Sequence, residues 1–200
     1  MNECAIGIRV HSGWGALVAV TGEPAAIEVI NRQRIEIVDR KAAGAVQPYH
    51  FARELALHLA EKHIAKSAAA ANQLAIDAMR EVTKRLRGKG YKLVRAAILL
   101  SSWHPDPAIE KILASHAMIH AAEGKFFRKS FAEACLALRI PIVGMLERDL
   151  EERAESRLGE DTRRLKLRIN GLGKTLGPPW TSDQKMATLA AVIALAERDS

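Results

Sequence analysis

The sequence predicts an α/β fold: a mixed sheet that starts as an antiparallel meander, continues with parallel strands and is flanked by helices. Three observations carry this. Residues 4–39 fall into short apolar or alternating segments divided by turn residues, the stretch from Pro48 to Arg87 has helical periodicity, and two later apolar runs, 93–100 and 141–146, are each followed by helical patterning. An antiparallel start followed by alternating β and α places the helices against one shared sheet.

The elements follow in order. Cys4–Val10 and Trp14–Thr21 are mostly apolar runs around a tight His11-Ser12-Gly13 connection. Ala25–Ile30 and Arg34–Asp39 show partial period-two alternation, with Asn31-Arg32-Gln33 read as the turn between them. Ile35 and Ile37 against Glu36 mark a sheet with one wet face. Residues 41–47 form a Gly/Ala loop, and Pro48 opens a helix that Gly88 and Gly90 stop. Within it Ala71, Leu74, Ala75, Ala78, Met79, Val82 and Leu86 share one face, and Asp77, Arg80, Glu81 and Lys84 cover the other. Forty helical residues would span about 60 Å, so a bend or break is expected near Ser67–Asn72.

Leu93–Leu100, apolar apart from Arg95, reads as a central strand. Asp106 and Pro107 suit the N-cap and first position of a following helix, broken near Ser115 and running to Leu138. Pro141–Leu146 is a short strand, and the charge-dense residues 147–169 read as a helical insertion into a single domain spanning 1–200. Asn170–Trp180 is a Gly/Pro loop, and an Ala-rich helix, Thr181–Arg198, closes the chain with Thr181 or Ser182 as its cap.

Composition narrows the function classes. With 200 residues and 48% hydrophobic content the chain can bury a core, and no run approaches the roughly 18 apolar residues of a membrane span. It opens directly on a strand-like pattern rather than a leader, and Cys4 and Cys135 both sit in apolar contexts, so a reducing cytoplasm and two buried thiols are expected. The net charge of +7 attracts polyanions, which makes nucleic acid or a phosphate-bearing small molecule the candidate partner. Aromatic residues are only 4%, too few for a single-strand stacking platform.

One stretch places ionisable groups where apolar ones belong. On a helical wheel Phe127, Phe131, Ala134 and Leu138 fall opposite Lys125, Arg128, Lys129 and Glu133, and His116, His120 and Glu123 lie on the apolar side. Buried ionisable groups need partners, a metal or a catalytic role. His116 and His120, at i and i+4, can reach one divalent ion, with Glu123 as a third ligand or as a carboxylate orienting a ring. The alternatives are an acid/base role, or a Glu123–His120 pair in a helix that simply packs. Glu54, His58 and Glu61 share the same spacing but sit beside Lys62 on an exposed face.

Some short motifs resemble a known family. Ala5-Ile6-Gly7-Ile8-Arg9-Val10 resembles the first strand of bacterial Holliday-junction resolvases and their ribosomal-RNA-processing relatives, in which a Gly-Ile pair precedes a catalytic aspartate. Arg9 stands at the aspartate's place. Gly13–Val18 resembles the family's second strand, and Pro141–Arg148 its fifth, where Glu147-Arg148 matches and Leu146 replaces an acidic residue. In the last helix the pair Ala190-Ala191 matches, Ala187 stands at an aspartate's place, and Asp183 lies one turn earlier. The resemblance implies a ribonuclease H-like fold with the first strand central, beside the strand that follows the long helix. It also implies loss of two-metal nuclease chemistry, because an arginine among the carboxylates repels the cations.

In such a sheet ligands favour the carboxyl ends of the strands. His11 and Ser12 follow the first strand, Ser101, Ser102 and His104 follow the strand after the long helix, and His116, His120 and Glu123 start from the same edge. A rim of histidines is therefore expected there. Ser101 or Ser102 beside a histidine could form a nucleophile pair, although no Gly-x-Ser-x-Gly elbow surrounds them. Lys174 in Asn170-Gly-Leu-Gly-Lys-Thr-Leu-Gly177 could contact an anion, although the stretch lacks the first glycine of a P-loop. Three functions stay open: a ribonuclease H-like protein binding a phosphate-bearing ligand or nucleic acid at this rim, a metal-dependent or acid/base hydrolase using His104, His116, His120 and Glu123, and a non-catalytic interaction module.

Overall fold

The computed structural model describes residues 1–101, 107–159 and 161–197. Five strands form one sheet: β1 (Asn2–His11), β2 (Trp14–Thr21), β3 (Glu28–Glu36), β4 (Tyr91–Leu100) and β5 (Ile142–Leu146), in the order β3-β2-β1-β4-β5. The β1–β2 and β2–β3 pairs are antiparallel, and β1–β4 and β4–β5 are parallel. The expected fold class holds: a mixed α/β sheet in which β1 is central and lies beside the strand after the long helix.

Helices cover both faces. On one side α2 (Leu57–Gly88) and α4 (His116–Ala137) bring Ala75, Met79, Val82, Leu86, Phe127, Phe131 and Ala134 onto Cys4, Ile6, Ile8 and Leu17. On the other, α5 (Leu150–Leu158), α6 (Asp161–Gly171) and α8 (Ser182–Ala196) pack on Ala5, Val18, Val20, Ala97, Leu99 and Met145. Alternation along β1 sends even positions to the first layer and odd positions to the second. Gly7 belongs to the odd set, and a Cβ there would lie 1.9 Å from the Ala187 carbonyl oxygen. The glycine therefore lets α8 lie directly on the sheet backbone. Cys4 and Cys135 are buried free thiols, as expected. Among the described residues no helix is long and apolar enough to cross a membrane.

Several boundaries differ from expectation. The Asn31-Arg32-Gln33 stretch is not a turn: β3 runs unbroken, and Arg32 and Gln33 pair with Val18 and Leu17. As an edge strand it tolerates polar residues, and Arg32 is held by the carbonyls of Leu176, Gly177 (2.8 Å) and Pro179 (2.6 Å). The long helical pattern breaks at residues 53–56, not 67–72, leaving a short α1 (Pro48–Ala52) and a continuous α2 of 32 residues, about 48 Å long. The Ala-rich segment at 68–72 is too strong a helix former to break. Pro107 precedes α3 (Ile109–Leu113) without joining it, and the expected cap Asp106 lies outside the described residues. Ser115 does separate α3 from α4, and its hydroxyl accepts from the Met118 amide. The Gly/Pro loop contains a one-turn helix, α7 (Gly173–Leu176). Thr181 caps α8 in a reciprocal box with Gln184.

Candidate functional site

Three elements deliver charge to the carboxyl end of β1. The strand's alternation turns Arg9 and His11 toward the α8 layer, Glu147 follows the last residue of β5, and Asp183 sits in the first turn of α8. There they close on one another. Arg9 Nε and Nη2 donate to the two oxygens of Glu147 at 3.2 and 2.9 Å, and Nη1 donates to Asp183 Oδ1 at 2.7 Å and to Ser182 Oγ at 3.3 Å. His11 Nε2 lies 3.1 Å from the same Asp183 oxygen. The Arg9, Glu147 and Asp183 side chains are only 22%, 29% and 19% exposed, so solvent screens the contacts incompletely. The Glu147 hydrogen bonds, against the cost of burial and with Asp183 adding to them, hold the Arg9 guanidinium above its usual range.

The surroundings continue this network. His11 stacks on Trp14 at 4.3 Å between centroids, and the Arg34 guanidinium lies 3.6 Å above the Trp14 ring. Arg128 of α4 donates to Ser101 Oγ at 2.9 Å. Burial pushes the Arg128 guanidinium down, and the Glu147 charge opposes that shift. One end of the sheet thus presents Arg9, Arg34, Arg128 and His11 around Glu147, Asp183 and Glu36, the last of which accepts from Arg34 Nε at 2.5 Å.

A second group lies on the other helical layer. Pro48 starts α1, and the amide and Nδ1 of His50 lie 3.2 and 3.0 Å from Glu123 Oε1. Glu123 is 3% exposed, and it supplies the acceptor that an early helix amide lacks within its own helix. His116 and His120 stand one turn apart with their Nε2 atoms 3.0 Å from each other, and their ring centroids lie 5.2 and 4.8 Å from that of His50.

The expected single rim is therefore divided. His11 is joined to Trp14 and Asp183, whereas His116 and His120 are joined to each other and to His50. Glu123 pairs with His50, not with His120. Glu123 is buried as the wheel predicted, but His116 and His120 are exposed, because the first turns of α4 lie before the segment that packs on the sheet at Phe127 and Phe131. Ser12 is exposed in the β1–β2 turn, Ser101 is bound to Arg128, and Lys174 is exposed on α7, where the Thr175 and Leu176 amides donate to the Leu172 carbonyl. Ser102 and His104 lie outside the described residues. Sequence reading missed His50, 73 residues before Glu123, and the part played by Arg128. Spacing along the chain carries no signal for either.

Comparison with known proteins places the fold. The chain is similar to the RuvC protein of Thermus thermophilus solved in complex with a Holliday junction substrate, with a TM-score of 0.55 and 9% identity over 97% of this chain and 93% of that one. It is also similar to a second structure of Thermus thermophilus RuvC, with a TM-score of 0.53 and 10% identity over 96% and 93% of the two chains. No protein-family model and no curated protein matches the sequence.

Proposed function

We propose that this chain is a ribonuclease H-like nucleic-acid-binding protein in which an internal arginine has replaced metal-dependent nuclease chemistry. Its 200 residues act as one domain, with 147–169 a charged helical insertion. The observation that carries the reading is the Arg9 fork across Glu147 and Asp183. Two-metal phosphodiester cleavage needs a cluster of free carboxylates to hold paired cations against the phosphate. Here the two carboxylates already share a fixed guanidinium, and the first-strand position that would add a third carboxylate carries the positive charge instead. This donor set does not fit paired divalent cations.

What remains at that edge suits a phosphate-bearing partner. Arg34 over Trp14, Arg128 beside Ser101, and His11 give cations and donors at the carboxyl ends of the strands, where open sheets bind ligands. The net charge of +7 supplies long-range attraction, and a similar fold is solved on a Holliday junction substrate.

The test is fluorescence anisotropy with a four-way DNA junction, a matched duplex and a single strand over a salt series, alongside cleavage assays in Mg²⁺ and Mn²⁺. Expected are junction or duplex binding that weakens linearly in log[salt], and no cleavage. Replacing Arg34 and Arg128 by alanine is expected to reduce the salt slope by about 1 per lost phosphate contact. Metal-dependent cleavage, or no binding to any of the three at low salt, overturns the reading.

A further inference from the structure

We infer that His50, His116 and His120 form a binding site for a zinc-class divalent ion. The inference goes beyond nucleic-acid binding and does not depend on it: these histidines belong to α1 and α4, on the helical layer opposite α8, and Arg9 takes no part in them.

The geometry comes first. One nitrogen from each of the three rings lies within 4.8 Å of the others, the one such group among the described residues. His116 Nε2 and His120 Nε2 are 3.0 Å apart. Two nitrogens on a tetrahedral zinc, each at about 2.0–2.1 Å, stand about 3.3 Å apart. Small side-chain adjustments therefore bring all three rings onto one ion. The i, i+4 pair fixes two of the ligands on one helix turn, and His50 closes the set from another element.

Glu123 is the second observation. Metal-binding histidines characteristically give their other ring N–H to a carboxylate, which sets the tautomer and the ring direction. Glu123 Oε1, buried at the α1–α4 contact, lies 3.0 Å from His50 Nδ1. With the proton on Nδ1, the Nε2 lone pair of His50 is free for the ion. Glu123 thus orients a ligand instead of serving as one. A purely structural Glu123–His50 pair needs neither His116 nor His120, and it leaves unexplained why two exposed imidazoles converge on the same point.

The chemistry of the donors sets the ion class. Three imidazoles without an oxygen ligand disfavour magnesium and calcium and favour zinc, nickel, cobalt or copper. Three protein ligands with His116 and His120 facing solvent leave the fourth position to water, the open format rather than the closed structural one. Occupied, the site ties the five-residue helix α1 to the start of α4.

The experiment uses untagged, chelator-treated full-length protein titrated with Zn²⁺ by calorimetry and with Co²⁺ by visible absorption, with Mg²⁺ as the control. Expected are one equivalent of zinc, the intense visible bands of low-coordinate Co²⁺, and no magnesium uptake. His50→Ala, His116→Ala and His120→Ala are each expected to weaken uptake by about tenfold or more, and Glu123→Gln by about 10–100-fold. His116 and His120 are exposed, so their variants keep the fold, as circular dichroism will verify. Substoichiometric zinc uptake by the wild type, or uptake unchanged in the His116→Ala/His120→Ala double variant, overturns the proposal.

Discussion

Arg9 Nη1 donates to Asp183 Oδ1 at 2.7 Å, and this contact ties the end of the central strand to the first turn of the last helix. A cation is thereby built in among the carboxylates at this end of the sheet. Because Arg9 also forks across Glu147, one side chain bridges the two acidic residues that follow β5 and open α8.

The proposed replacement of metal chemistry by Arg9 is testable in both directions. Arg9→Ala leaves two partly buried carboxylates facing each other and is expected to lower stability by about 1–3 kcal/mol in urea unfolding. Arg9→Asp supplies a third carboxylate and is expected to gain Mn²⁺ binding by calorimetry at a site that His116→Ala does not affect. An Arg9→Asp protein that stays blind to Mn²⁺ would show that Glu147 and Asp183 are not arranged as cation ligands.

Gly7 is expected to be the least replaceable residue of β1. The smallest side chain puts a Cβ 1.9 Å from the Ala187 carbonyl oxygen and 3.0 Å from the Ala191 amide nitrogen, so α8 must lift off the sheet. Gly7→Ala should cost about 3 kcal/mol or more, measured by chemical denaturation. A loss under about 1 kcal/mol would mean that α8 shifts freely.

Glu197 gives a pH signature. Burial alone would push its carboxyl up, but the hydrogen bonds and charge of Arg153 (2.7 Å), with the charges of Arg157 and Arg95, outweigh that and hold it below its ordinary 4.5. A folded value below the unfolded one means the stabilisation is complete above about pH 4.5 and is lost as pH falls through the depressed folded value. Glu197→Gln is expected to lower stability by about 1.5–3 kcal/mol at pH 7, and the gap to wild type should shrink in acid below pH 4.5. A gap independent of pH would assign the loss to packing.

The two thiols should be silent in the folded protein. Burial pushes Cys4 up to about 11 and Cys135 up to about 12, and both are fully enclosed in the layer between the sheet and the α2–α4 pair. Mass spectrometry is expected to find neither alkylated by iodoacetamide at pH 8 in native buffer, and both after denaturation. Rapid native modification of either would reveal local opening of that core.

What the sequence determined by itself was the part of the molecule written in local periodicity. Apolar runs marked β1, β2, β4 and β5, the 3.6-residue stripe of Ala71, Leu74, Ala75, Ala78, Met79, Val82 and Leu86 marked α2 although Leu74 proves exposed, Ser115 marked a helix break, and Thr181 or Ser182 marked the start of α8. The element order also allowed this sheet arrangement, since a right-handed crossover from β3 through the long helix leaves few places for β4. It failed where tertiary context overrides local pattern: the polar centre of β3 survives because that strand lies at an edge and Arg32 finds four carbonyls. Only the tertiary structure decided the sites. His50 meets His116 and His120, and Arg9 meets Glu147 and Asp183, across separations of more than sixty residues that no spacing rule covers. Strand alternation could place Arg9 and His11 on one face of β1, but which helix covers that face, and which charges it carries there, follows from packing the whole sheet.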